Sequence, residues 1–203
     1  MQGYFYVCLQ IEDNKSKKGD KNMDTKKITT ISVLSAFSLV LMLLVRFPMF
    51  LPFLIYEPGD IPILIISFMF GPAAALGATF ILSILMAVFT GLGGPFGAFM
   101  HFLATGIFAG TAGYFYQQHH NKIGAIKGLA IGSIAMTAVM AGANLVFNPI
   151  FYGIPREQVL QMMLPGILPF NLTKAVINSI ITVLIYKKLA NFLRNKGLLK
   201  QLN

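Results

Sequence analysis

The sequence predicts an all-α integral membrane protein with six transmembrane helices, and three observations carry that prediction. The 203-residue chain is 56% hydrophobic and only 11% charged, well below the roughly one-quarter charged share of soluble domains. Its apolar runs have lengths near the ~20 residues a helix needs to cross hydrocarbon at ~1.5 Å rise per residue. Its lysines and arginines flank the ends of those runs, as orientation signals do.

Residues 1–22 are polar and Lys-rich, without an apolar core long enough for a cleavable signal. Lys18–Met23 back-translates to a purine-rich ribosome-binding sequence ahead of a start codon, so two expectations stand side by side: translation that begins at Met23, and a disordered cytoplasmic tail. Residues 23–203 read as a single six-helix membrane domain. The first helix falls at about 28–47. The run 61–90 is too long for one helix. Gly71-Pro72 splits it, since glycine permits a turn and proline removes a backbone donor, into helices at about 61–70 and 72–90. Helices at about 96–116, 124–148 and 167–189 complete the set, with Pro149 ending the fifth.

Six spans put both termini on one side, with Lys26, Lys27, Lys122, Lys127, Lys187, Lys188, Arg194, Lys196 and Lys200. The other side holds only Arg46 and Arg156. Lys/Arg excess marks the cytoplasm, so both termini are expected inside a bacterial inner membrane, with Glu57, Asp60 and Glu157 facing out. Lipid is therefore the surrounding partner. The basic residues form no stripe with interleaved aromatics, which argues against nucleic acid despite the net charge of +9. A single cysteine, Cys8, supports neither a disulfide framework nor a cysteine metal site.

Small residues recur every four positions: Ser32 with Ala36, Gly106 with Gly110, and Gly124, Gly128 and Gly132. Such spacing lets helix backbones approach closely in lipid. Polar side chains inside spans are costly and usually face a cavity or a partner. Here Asn144 and Asn148 lie one turn apart on the fifth helix, and Asn171, Lys174 and Asn178 share a face of the sixth. Asn178 has two readings, a ligand contact or an interhelical hydrogen bond. Lys174, between two asparagines, points to a polar cavity more than to snorkelling.

The segment Tyr56–Pro62 carries two of the three carboxylates that follow residue 24. Asp60 stands before Ile61-Pro62 as a helix-starting acid would, so capping is its expected role. Glu57 is expected to meet a ligand or Lys174, in a lid built on a flexible Pro58-Gly59 turn. The loop Thr90-Gly91-Leu92-Gly93-Gly94-Pro95 offers backbone N–H groups but lacks the lysine and Ser/Thr of a phosphate loop, so ATP hydrolysis is not expected of this chain. His101 has no companion at metal-ligand spacing, and no metal site is expected. Tyr56, Phe96, Phe147, Tyr152 and Phe170 sit near the outer rim, where a planar ligand could stack.

Taken together, Leu51–Pro62, Phe70-Gly71-Pro72, Gly93-Gly94-Pro95 and Leu168–Lys174 through Asn178 resemble the riboflavin-binding S components of energy-coupling factor (ECF) transporters, over about residues 26–195. Glu57–Pro62 and Pro169-Phe170-Asn171 point to riboflavin rather than to another vitamin. The resemblance implies the S-component fold and a subunit that captures the vitamin outside. It then delivers the vitamin inward with a transmembrane T component and two ABC ATPases, with no catalysis and no cofactor of its own. Family members carry Ala-x-x-x-Ala on the first helix for the T component; here Ser32 and Ala36 match, the serine being a departure that stays small.

Riboflavin presents an apolar ring system, an imide-like edge and a chain of hydroxyls. Asparagine offers donor and acceptors to that edge, while carboxylate, lysine and glycine backbone suit hydroxyls. The expected binding residues are Asn144, Asn148, Asn171, Lys174 and Asn178, with Leu54, Tyr56, Glu57, Gly91, Gly93 and Pro95 closing over the ligand. The alternatives are an S component for FMN, through Arg46 or Arg156, or for another vitamin, and a secondary transporter that couples protons through Glu57, Asp60 and Lys174. The absence of an evident inverted repeat and of a carboxylate at mid-membrane depth argues against the last. An intramembrane enzyme fits least, because no Ser/His or paired-acid constellation is visible within the spans.

Overall fold

The computed structural model describes residues 25–91 and 93–195. The expectations for residues 1–22, Leu92, Lys196 and Lys200 lie outside the described residues. The chain order is α1 (Thr25–Leu44), β1 (Phe47–Met49), β2 (Leu51–Tyr56), α2 (Asp60–Phe70), α3 (Pro72–Thr90), α4 (Gly94–Gln118), α5 (Lys122–Tyr152), α6 (Arg156–Met162) and α7 (Leu168–Asn195). Among the described residues, five helical stretches are long and apolar enough to cross a membrane: α1, α3, α4, α5 and the run Arg156–Tyr186. The second expected helix, α2, has 11 residues, about half the length that hydrocarbon requires.

Three features correct the expected all-α outline. First, α1 ends at Leu44 and an antiparallel hairpin follows, pairing Phe47 with Tyr56 and Pro48 with Ile55. Pro48 and Pro52 cannot donate to a helix and hold their preceding residues extended, so the chain leaves helical geometry here. Phe50 turns the hairpin with φ of 65°, a left-handed conformation uncommon for a bulky side chain.

Second, Pro149 does not end α5, which runs on to Tyr152 and stops at Gly153 with φ of 65°. A proline one turn from a helix end costs few backbone bonds, whereas a left-handed glycine terminates the ladder. Third, the stretch before the last helix is itself helical. A π-helical turn at Met163–Ile167 joins α6 to α7. Pro165 and Pro169 lie in and just past it and remove backbone donors, which favours the wider turn over a strict α ladder.

The core lies where α2 is enclosed by α3, α4 and α7, with Ile63, Leu64, Ile66 and Phe108 fully buried. The fourfold glycine spacing builds the α4–α5 contact. A Cβ on Gly128 would lie 2.5 Å from the Ala112 carbonyl oxygen, and one on Gly132 would lie 2.9 Å from that of Phe108. At one end of α2, Phe68 packs against Tyr116 and Tyr186, whose hydroxyls are 2.9 Å apart. The opposite end holds the polar residues.

Candidate functional site

Tyr56, Glu57, Pro58 and Gly59 are all buried where the hairpin returns to α2. The Pro58-Gly59 turn, expected to be flexible, is packed against α1. The Ser38 hydroxyl of α1 donates to the Gly59 carbonyl, and a side chain on Gly59 would run into Met42. Leu51 of the hairpin lies across Gly166 in the π-helical turn, where a Cβ would collide with it.

Asp60 begins α2 but does not cap it: the N-cap position is Gly59 and no side-chain cap bond forms. Its carboxylate is fully buried and turned into the bundle. Oδ1 accepts from the Thr105 hydroxyl of α4 at 2.7 Å. Oδ2 accepts from Asn178 Nδ2 at 3.0 Å and lies 3.2 Å from the Lys174 ammonium, both on α7. His101 Nε2 stands 3.8 Å from Oδ1, and its Nδ1 shares a 2.7 Å hydrogen bond with Ser83 of α3. One carboxylate thus joins α2, α4 and α7. An uncompensated charge in such surroundings costs several kcal/mol, so this degree of pairing is what makes the burial tenable.

The same network revises other expectations. Lys174, only 8% exposed, pairs with Asp60 and does not snorkel outward; its direct partner is not Glu57. Glu57 instead has Arg46 Nε at 3.6 Å, beyond hydrogen-bond reach, and among the described residues Oε1 has no hydrogen-bond donor. Burial pushes the Glu57 carboxyl above its ordinary range; Lys174 and Arg46 oppose that and the Asp60 charge adds to it. Asn178 is fully buried and binds neighbouring elements, donating to Asp60 and accepting from the Tyr56 hydroxyl at 2.9 Å. Burial, and next the Asp60 charge, push the Tyr56 phenol up to about 12, so it remains a donor at ordinary pH.

A Ser/His/Asp grouping therefore does occur, contrary to the reading from spacing. It is not arranged for nucleophilic chemistry: Ser83 is 2% exposed and also donates to the Thr79 carbonyl at 2.7 Å. The grouping knits α3 and α4 to Asp60.

Asn144 and Asn148 lie on α5 and Asn171 on α7, two helices that pack together. Asn144 donates to the Met140 carbonyl at 2.7 Å and accepts from Asn148 at 3.0 Å. Asn171 donates to the Ile167 carbonyl at 2.8 Å. These contacts fix each amide while leaving further donor and acceptor capacity, since an amide carries two N–H groups and two lone pairs. All three are buried.

The rim aromatics separate into groups. Phe96 stacks on Phe151 with centroids 4.4 Å apart and meets Tyr152 edge-on, while Phe147 packs edge-on against Phe99. Tyr56 lies instead beside Phe47, and Phe170 is buried in α7. Phe99 and Phe151 were not singled out from sequence; their helical spacing to Phe96 and Phe147 was the available signal. Gly91 and Gly93 adopt left-handed φ of 67° and 64° on either side of the α3–α4 turn. Gly94 and Pro95 line a groove of about 470 Å³ between these helices, with Phe80, Ser83, Phe99 and Phe102.

Residues 26–186 match the family model of the ECF transporter substrate-specific component. The chain is similar to the riboflavin transporter RibU of Staphylococcus aureus (strain TCH60), 35% identical over 177 residues that span 83% of this chain and 93% of the relative. It is 28% identical to the riboflavin transporter FmnP of Bacillus subtilis (strain 168), over 82% of this chain and 93% of that protein. Its fold superposes with a TM-score of 0.73 and 35% identity on the S component of a bacterial ECF transporter, covering 84% of this chain and 98% of the other. The sequence resemblance and the helical arrangement thus converge: the chain is a multi-pass membrane protein that belongs to the substrate-specific components of ECF transporters.

Proposed function

We propose that this protein is the high-affinity riboflavin-binding subunit of an ECF importer. In this reading it captures the vitamin at the outer face and passes it inward when joined to a T component and two ATPases. The observation that carries it is a set of buried polar side chains on two helices that pack together, Lys174 and Asn171 on α7 and Asn144 and Asn148 on α5. Relatives named as riboflavin transporters cover most of the chain and support the choice of vitamin.

The division of labour follows from the chemistry. Asn144, Asn148 and Asn171 offer the mixed donors and acceptors that an imide-like edge requires, and Lys174 offers N–H donors to carbonyl or hydroxyl oxygens. Asn178 supports that face from beneath. Leu54, Tyr56 and Glu57, with Gly91, Gly93 and Pro95, close over the ring system and ribityl chain. Neutral riboflavin suits the site better than FMN, because phosphate calls for several basic groups and Arg46 lies against Glu57. Lys26, Lys27, Lys122 and Lys127 at the opposite end mark the cytoplasmic side, with both termini inside. Ser32 and Ala36, exposed on α1, face the T component, and ATP hydrolysis belongs to the partner ATPases.

Titration of riboflavin with the detergent-purified protein should quench flavin fluorescence with a sharp break near one ligand per chain. Riboflavin fluorescence left unchanged at micromolar protein, with another vitamin bound instead, would move the protein to a sister specificity.

A further inference from the structure

We infer that Asp60 is a positioning residue for ligand capture: its carboxylate sets the Lys174 ammonium and the Asn178 amide on α7 and, through that amide, the Tyr56 hydroxyl of the hairpin. The ligand in this inference rests on the riboflavin reading; the geometry does not.

A carboxylate can only accept, so Asn178 must turn Nδ2 toward Asp60, from which it is 3.0 Å away. The flipped amide would set two acceptors against each other at that distance. Asn178 Oδ1 is thereby left facing the Tyr56 hydroxyl, which donates to it at 2.9 Å. The orientation follows from the chemistry at both ends and not from an arbitrary choice of amide rotamer. Lys174, 3.2 Å from the same Oδ2, has one of its three N–H directions taken up. The other two are then aimed by a fixed stem, which lowers the ordering cost of meeting a ligand.

Asp60 is held in turn from its far side. Thr105 donates to Oδ1 at 2.7 Å, and His101 beside it is bonded to Ser83. These groups lie on α3 and α4, whereas the lid and the recognition face lie on the hairpin and α7. A disturbance at Thr105 should therefore reach Tyr56 by way of Asp60 and Asn178.

The test uses the full chain in detergent, with riboflavin as the probe and with Thr105→Val, Tyr56→Phe and their combination. Each single change removes one hydrogen bond and should weaken binding about three- to tenfold. The double variant should lose clearly less than the product of the two, because breaking either link already frees the other. Thr105→Ser, which keeps the hydroxyl, should restore wild-type affinity. Losses that multiply as independent effects would overturn the inference.

A second measurement needs no ligand. A nitroxide on Phe53→Cys, in a background with Cys8→Ser, reports hairpin motion. Asp60→Asn and Thr105→Val should both loosen it, and Thr105→Ser should not. A label equally immobile in all variants overturns the positioning role whatever the affinities do. If the wild type fails to bind riboflavin while the label responds as expected, the vitamin assignment falls and the positioning role stands.

Discussion

Lys174 sits 8% exposed, its ammonium 3.2 Å from Asp60, and one substitution tests both this ion pair and the proposed ligand contact. Lys174→Met keeps most of the stem's volume and removes the charge. Riboflavin affinity should fall by more than about tenfold, or about 1.4 kcal/mol. Melting of the unliganded protein should also drop, because breaking a buried ion pair costs about 3–5 kcal/mol. Titration and thermal unfolding in the same detergent check both, and a lowered melt with unchanged affinity would leave the lysine as Asp60's partner alone. The polar face of α7 was legible because Asn171, Lys174 and Asn178 repeat at helical spacing. Asp60 was not legible, since the residues beside it fit a helix start while its partners Thr105 and Asn178 lie 45 and 118 positions away. Local chemistry suggested a cap, and tertiary chemistry made it a hub.

At the scale of elements, apolar length and the Gly71-Pro72 break located the long helices, because hydropathy and backbone chemistry act over a few neighbouring residues. The hairpin, the continuation past Pro149 and the π-helical turn were missed: each depends on which of several proline effects prevails, and packing decides that. The glycine spacing is a case where sequence pattern and packing agree, and it yields a paired prediction on α5. Gly128→Ala puts a methyl where a Cβ would lie 2.5 Å from the Ala112 carbonyl oxygen, and overpacking of that kind costs about 1–3 kcal/mol. Gly142→Ala meets nothing within 4 Å and should be neutral or stabilise by up to about 1 kcal/mol through helix propensity. Thermal unfolding of the two variants should move in opposite directions or leave only Gly128→Ala lowered. Equal destabilisation would show that the α4–α5 contact is looser than the backbone approach implies.

For the whole molecule, the two ends of the bundle differ in kind. One joins Asp60, Lys174 and Asn178; the other packs Phe68 against Tyr116 and Tyr186. Among the long spans α1 is the least enclosed, with 17% of its apolar window buried against 33–39% for the others. Its contact with the Gly59 turn runs through Ser38 and Met42, whereas Ser32 and Ala36 lie exposed, nearer its N-terminus. Capture and assembly should therefore be separable along one helix. Ala36→Phe adds bulk at an exposed position, and surface changes of that sort usually alter stability by no more than about 0.5 kcal/mol. Riboflavin quenching should stay within about twofold of wild type, consistent with an effect of that size. ATP-driven uptake in proteoliposomes that also contain the T component and ATPases should collapse, because close helix approach in lipid depends on small residues at the contact. Wild-type uptake by the variant would remove this face of α1 from the partner interface, and equal loss of binding and uptake would mean that the substitution disturbs the fold itself.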